Sequence, residues 1–218
     1  MKQIKTILFP GWAVPPEMYS HFNADMTIDY GFFGGKPCFE DILNPLEQLE
    51  ALQPAKPYRI IAHSLGGLFA LRTSQFRDNA DAIILYGCFA KFAESDDNPD
   101  GQPQRQVEAM RKQLKRNPQI LLKSFHRTMV KPAKINITVP DTLNADKLDE
   151  GLYLLQSCDI RGELHSVKPR VKILHGAEDS IVSPRLAEML SEAIPDSELK
   201  IFNNSGHALP FENTNTYQ

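Results

Sequence analysis

Short apolar runs alternate with longer amphipathic stretches along much of the chain, and that rhythm predicts strands and helices taken in turn. Ile4 to Phe9 is apolar and β-branched and is stopped by Pro10-Gly11-Trp12-Ala13, which predicts a first strand. Thr27 to Phe32, ahead of Gly34-Gly35, predicts a short second one. Phe39 to Leu52 carries Ile42, Leu43, Leu46 and Leu49 at helical spacing and is closed by Pro54 and Pro57. Tyr58 to Ala62 is a third strand, Leu65 to Arg72 a helix and Ala82 to Tyr86 a fourth strand. The alternation then stops. From Ala93 to Leu155 no buried strand is legible; a polar loop from Glu94 to Pro103 leads into helical stretches. The rhythm returns with strands at Val171 to His175 and Glu198 to Phe202 and a helix at Pro184 to Ala193 between them.

Strands that alternate with helices form parallel sheets covered on both faces, so the expected fold is α/β, with about six mostly parallel strands. The division that follows is a core of residues 1–92 and 161–218 interrupted by a helical insertion over 93–160. No internal repeat is apparent.

Composition narrows the class. A chain of 218 residues with 42% hydrophobic and 23% charged residues is an ordinary globular protein with ample material for a core. The amino-terminal apolar run is too short for a secretion signal, and no stretch approaches the roughly 20 apolar residues of a membrane span. A cytoplasmic protein is expected. Cys38, Cys88 and Cys158 are few and widely spaced, which predicts reduced thiols. His21, His126, His165 and His175 have no partner at metal-ligand spacing, so neither a metal nor a cofactor is expected.

The candidate chemistry lies where strands end. Ala62-His63-Ser64-Leu65-Gly66-Gly67 places a serine among small residues between a strand and a helix. Such a turn lifts the hydroxyl out of the sheet, although Ala62 stands where the usual pattern has a first glycine. A serine hydroxyl needs a histidine to take its proton, and the histidine needs a carboxylate to fix its tautomer. Asp179, in His175-Gly176-Ala177-Glu178-Asp179, and His207, in Asn204-Ser205-Gly206-His207, each follow a later strand in the right order. Glu178 is the alternative carboxylate. Loops at the carboxyl ends of parallel strands share one edge of the sheet, which is where sites of such folds form. The amides of Leu65 and Trp12 are the expected oxyanion donors. His63 adjoins the serine and is expected to point away from it.

Charge is distributed unevenly. Formal net charge is −3, yet between Pro103 and Lys134 nine cations (Arg105, Arg111, Lys112, Lys115, Arg116, Lys123, Arg127, Lys131 and Lys134) face one carboxylate, Glu108. That segment carries +8 and leaves −11 for the rest. An acidic chain that gathers its cations in one segment points to a polyanionic partner there, against the alternative of a solvated helix face. It does not point to nucleic acid.

With these residues assembled, the chain resembles the α/β-hydrolases, and within them the pimeloyl-[acyl-carrier protein] methyl ester esterases of biotin synthesis. Pro10-Gly11-Trp12, Ser64-Leu65-Gly66-Gly67, Cys88-Phe89, Gly151-Leu152-Tyr153-Leu154-Leu155, Asp159-Ile160-Arg161 and the Asp179 and His207 loops carry the resemblance. It implies a serine carboxylesterase with a helical lid and a methylated seven-carbon diacid borne on an acidic acyl carrier protein. It further implies an acyl pocket involving Trp12, Ser64, Leu65, Cys88, Phe89 and the lid residues Phe125, His126, Arg127, Thr128 and Met129. The carrier would dock on Arg105, Arg111, Lys112, Lys115, Arg116, Lys123 and Arg127.

The chain departs from that pattern at Pro10, where the family has a histidine, at Ala62, and in lacking the fold's usual amino-terminal antiparallel strands. Only 11 residues follow His207, where the fold usually adds a helix. This is expected of either a minimal or truncated member or one whose sheet edge is covered by another chain. Two other functions stay open on these residues: a hydrolase of small free esters or carbon–carbon bonds, and a binding module on a hydrolase scaffold.

Overall fold

The computed structural model describes residues 5–35, 37, 38 and 57–212. The helix expected over Phe39 to Leu52 lies outside these residues. Six strands form one sheet: β1 (Lys5–Phe9), β2 (Met26–Thr27), β3 (Tyr58–His63), β4 (Ala82–Tyr86), β5 (Arg170–Gly176) and β6 (Ser197–Phe202), in the order β2-β1-β3-β4-β5-β6. Every neighbouring pair is parallel. The second strand is shorter than Thr27 to Phe32. Ile28 N–H still donates to Leu8 O, but the chain then turns at Gly31 (φ +76°), and Ile28, Tyr30 and Phe32 fill the core from irregular backbone.

Successive residues of a strand point to opposite faces of a sheet. Accordingly Ile7, Phe9, Ile60, Ala62, Ile83, Leu85 and Ile173 enter one apolar cluster, while Leu8, Ile61, Tyr86 and Leu174 enter another. The four inner strands are therefore buried on both faces, and this explains why they read as continuous apolar runs. The bordering strand β6 alternates between half-buried and exposed positions instead.

The helices are α1 (Leu65–Arg72), α2 (Ser74–Asn79), α3 (Gln104–Arg116), α4 (Pro118–Met129), α5 (Ala145–Ser157) and α6 (Pro184–Ala193). Three of them, α3 to α5, occupy the interval between β4 and β5 where the strand rhythm stops. Asn117 caps α4 by accepting from Ile120 N–H at 3.0 Å, and Asn144 caps α5 from Lys147 N–H at 3.1 Å. These caps satisfy amides that have no partner inside the helix. Val107 and Leu114 of α3, Leu121 and Leu122 of α4, and Leu148, Leu152 and Leu155 of α5 join the larger core cluster. The interval therefore packs onto the sheet's own core instead of building a second one. Its two ends are tied together: Lys91 and Arg161 both reach Asp97 and Asp159, with Arg161–Asp159 and Arg161–Asp97 contacts of 2.6 Å. No described helix is long and apolar enough to cross a membrane.

Candidate active site

Ser64 stands between β3 and α1 with φ 53° and ψ −121°, a backbone conformation that costs an L-residue roughly 1–3 kcal/mol. Its surroundings hold it there. Ser64 N–H donates to Tyr86 O at 2.9 Å, and Gly67 N–H donates to Ser64 O at 2.9 Å. Glycine is required at 66, because a Cβ there would sit 2.6 Å from Pro10 O. At 67 a Cβ would sit 2.7 Å from Cys88 Sγ. Ala62 is fully buried within β3, paired with Phe9 and Leu85, so a methyl group is accommodated where the usual pattern has glycine.

Two later strand ends bring the acid and the histidine. Asp179 follows β5 in a turn that aims two amides at its Oδ1, Ile181 N–H and Val182 N–H, each at 2.8 Å. Its Oδ2 lies 2.7 Å from His207 Nδ1. Burial pushes the Asp179 carboxyl up, but His207, His175 and the Val182 amide outweigh it and hold the group below its ordinary value. An ionised carboxylate only accepts, so His207 Nδ1 carries the proton and Nε2 is left as a base. Glu178, the alternative, is exposed. The His207 loop rests on the end of α4: Ala208 N–H donates to Met129 O at 3.1 Å, and Gly206 leaves no room for a side chain against Lys131 and Pro132.

The loop after β1 supplies the third wall. Trp12 is buried, donates its indole N–H to Leu148 O of α5 at 2.9 Å and meets Phe125 of α4 edge to face at 4.9 Å. Ala13 takes φ 53°, and its carbonyl accepts from His126 Nε2 at 2.6 Å. Leu65 is the first residue of α1, whose amide has no partner within the helix. Among the described residues neither the Trp12 nor the Leu65 amide donates to another protein atom.

Ser64 and Trp12 border a partly open cavity of about 220 Å³; Asp179 and His207 lie outside its lining. Trp12, Phe125 and Thr128 line it, as the resemblance implies. Leu65, Cys88 and Phe89 do not. Cys88 lies behind the elbow against Gly67, its thiol pushed up to about 12 by burial, while the Phe89 ring meets that of Phe92, which is the lining residue, at a tilt with centroids 5.0 Å apart. His126 is spent on Ala13, Arg127 is exposed and Met129 belongs to the core on the other face of the sheet. The other lining side chains are mostly apolar and come from the three helices, among them Val107, Met110, Leu121, Leu152 and Leu155. Among the described residues none of the lining side chains is ionisable. No cluster of three or more metal-ligating side chains occurs among the described residues.

Sequence reading named His63 and His175 but gave neither a contact at the site. His175 is fully buried, bonded through Nε2 to Val182 O at 2.9 Å and 3.5 Å from Asp179 Oδ2. His63 is buried between Tyr19 and the His207 carbonyl. His63 was legible only as a neighbour of Ser64, and Tyr19 carried no signal at all. Of the docking candidates, Arg111 is engaged within the protein. Its guanidinium makes two 2.8 Å contacts to Asp149 and lies over the Tyr153 ring at 5.5 Å, joining α3 to α5. Arg105, Lys112, Lys115, Arg116, Lys123 and Arg127 are exposed and form no ion pair with a described residue.

Known proteins are similar to this chain. A protein of Aromatoleum aromaticum named pimeloyl-[acyl-carrier protein] methyl ester esterase is 27% identical over 97% of this chain and 93% of its own. Proteins of the same name from Nitrosomonas europaea (26%; 94% and 88% covered) and Neisseria meningitidis (28%; 95% and 87%) are similar to it as well. Among solved structures, an esterase from Exiguobacterium antarcticum superposes with a TM-score of 0.81 at 20% identity, covering 99% of this chain and 89% of that one. A bromoperoxidase from Bacillus anthracis gives 0.81 at 17% identity, with 95% and 87% covered. At these identities the two structures speak for the fold. The family profile described as Serine aminopeptidase, S33 (Hydrolase_4) matches residues 36–214, well over half of the sequence, and the chain therefore belongs to that family of α/β-hydrolases.

Proposed function

We propose that this protein is a serine carboxylesterase that removes the methyl ester of a pimeloyl group carried on an acyl carrier protein. One observation carries the chemical half of this reading: Ser64, on a strained turn, opens into a cavity without ionisable walls while His207 is held by a buried Asp179 on the adjoining strand ends. Ser64 Oγ attacks the ester carbonyl as His207 Nε2 takes its proton, and the Trp12 and Leu65 amides hold the oxyanion. His207 then gives the proton to the departing methanol. A water, deprotonated by His207, attacks the acyl-enzyme and restores Ser64.

The neutral, apolar cavity favours an uncharged acyl chain. A substrate ammonium group, as an aminopeptidase would bind, has no carboxylate to meet there. The names of the relatives and the exposed cations of α3 and α4 support the carrier-borne substrate, with those helices acting as a lid over the acyl chain. The test is methanol release from methyl-pimeloyl carrier protein, compared with a small chromogenic ester, together with rescue of growth without biotin in a strain lacking its own esterase. Rescue by the chain but not by Ser64→Ala is expected. Hydrolysis of small esters without carrier preference or salt sensitivity would favour the free-ester alternative. A folded protein that a fluorophosphonate does not label at Ser64 would instead be the binding module.

A further inference from the structure

Three buried hydrogen bonds join the loop that carries the candidate oxyanion donor to the loop that carries the candidate base, and they run through the side chain next to the nucleophile. Gly11 N–H donates to Tyr19 Oη at 2.8 Å. Tyr19 Oη lies 2.8 Å from His63 Nδ1. His63 Nε2 lies 3.0 Å from the backbone oxygen of His207. Burial and the nearby His207 push His63 down to about 3, so the ring is neutral over the working range and carries one proton.

The position of that proton follows from the partners. A carbonyl oxygen only accepts, so His63 Nε2 carries the hydrogen and Nδ1 is left as an acceptor. Tyr19 must then donate its hydroxyl hydrogen to Nδ1, while its oxygen receives Gly11 N–H. Every donor in the chain has one acceptor, and no other tautomer of His63 satisfies all three contacts. The path is also buried, and Phe211 stands edge-on to Tyr19 at 5.0 Å and to His63 at 5.5 Å. At Gly11 a Cβ would come within 2.9 Å of His63 Nδ1.

We infer that Tyr19 and His63 are positioning residues for the hydrolysis, which tie the Gly11-Trp12 turn and the His207 backbone into one rigid unit beneath Ser64. This rests on the triad reading above. An ester hydrolysis of this kind needs the oxyanion donor and the base in register with the serine, and small misplacements cost rate more than binding. The effect should therefore fall on kcat. Trp12 Nε1 already fixes the turn from the lid side through Leu148, whereas the Tyr19–His63 path fixes it from the sheet side.

The two ring contacts separate by substitution. In His63→Asn the side-chain oxygen can still accept from Tyr19 but the donor to His207 is lost; in His63→Gln the amide reaches His207 but leaves Tyr19 unpartnered. Tyr19→Phe keeps the ring and deletes the hydroxyl. For a small chromogenic ester we expect kcat to fall about 10- to 100-fold in each, with KM within about twofold and thermal unfolding still cooperative. A kcat within twofold of the parent in folded Tyr19→Phe and His63→Asn overturns the inference. Nitrogen NMR of the parent provides a check that needs no variant: His63 should show a protonated Nε2 and an unprotonated Nδ1 from pH 5 to 9, and the reverse tautomer overturns the inference. Failure of Ser64 to react with a fluorophosphonate in the parent would count against the triad itself. Normal labelling with undiminished Tyr19→Phe and His63→Asn turnover would remove the positioning role alone.

Discussion

The two sides of the cavity are held by different physics. On the sheet side, Ser64, Asp179 and His207 hang from the ends of β3, β5 and β6, strands locked in register by parallel ladders. Glycines at 66, 87 and 206 let backbone approach backbone or the Asp179–His207 pair; at Gly87 (φ +55°) a Cβ would lie 3.0 Å from His207 Nδ1. On the helical side, α3 to α5 present apolar stripes to the cavity, α3 and α4 carry cations to solvent, Arg111–Asp149 ties α3 to α5, and Trp12–Leu148 and His126–Ala13 are side-chain contacts that join these helices to the loop after β1. Backbone ladders fix positions closely enough for chemistry. Side-chain stripes fix a surface that can vary with the substrate, because apolar packing demands volume and not a set direction.

That contrast sets the order of expected effects. The largest belong to the sheet side: Ser64→Ala should lower kcat roughly 10⁴-fold or more, and Asp179→Asn roughly 10³- to 10⁴-fold, with the fold retained. Steady-state rates on a small ester check both. An unchanged rate in Asp179→Asn would remove that residue from the machinery and leave Glu178 to be tried. Gly66→Ala comes next. It drives a methyl group into the carbonyls of Phe9 and Pro10 and should cost about 3 kcal/mol, read from denaturant midpoints. A loss below about 1 kcal/mol would mean that the elbow is looser than its contacts imply.

Acid should weaken the site's scaffold. His63, His126 and His175 are all held below the ordinary imidazole value, first by burial. Below the unfolded value near 6.5 the unfolded chain takes up protons that the folded chain refuses, so stability falls as pH falls. For His63 this continues to about 3, at about 1.4 kcal/mol per pH unit between the two values. Urea unfolding at pH 7.5 and 5.0 measures it, and greater stability at pH 5.0 would contradict the neutral assignments.

The smallest effects belong to the helical side and separate two kinds of cation. Arg111→Ala should cost about 1 kcal/mol of stability, since its partly exposed pair with Asp149 is screened by solvent. Arg116→Glu with Lys123→Glu should leave the fold and small-ester turnover alone but reduce turnover of carrier-borne ester about tenfold. Equal loss on both substrates would dissolve the distinction between docking and folding residues.

How much of this was legible in the sequence follows the same division. The strands at Tyr58, Ala82, Val171 and Glu198, the Ser64 elbow and the order of acid and histidine were all readable, because a strand buried on both faces leaves a continuous apolar run and a site at its end sits at a fixed place after it. The fate of Thr27 to Phe32 was not, since Gly31 bends the chain and apolar residues pack equally well from irregular backbone. Cys88 and Phe89 were legible as residues near a strand end, but which of Phe89 and Phe92 faces the cavity depends on packing. Arg111 reads in the sequence like any cation of its run, and it took Asp149, from a helix in another part of the chain, to separate it from Arg116.

By itself, then, the sequence determined the α/β alternation, the helical interruption, the local excess of positive charge and the serine, aspartate and histidine in their order, all properties of near neighbours along the chain. The tertiary structure decided which side chains meet: His63 with Tyr19 and His207, Arg111 with Asp149, and Trp12 with Phe125 and Leu148. The physical reason is range. Periodicity and turn chemistry act over a few residues, whereas hydrogen bonds and packing act over a few ångströms between groups far apart in the chain, and no pattern of near neighbours records them.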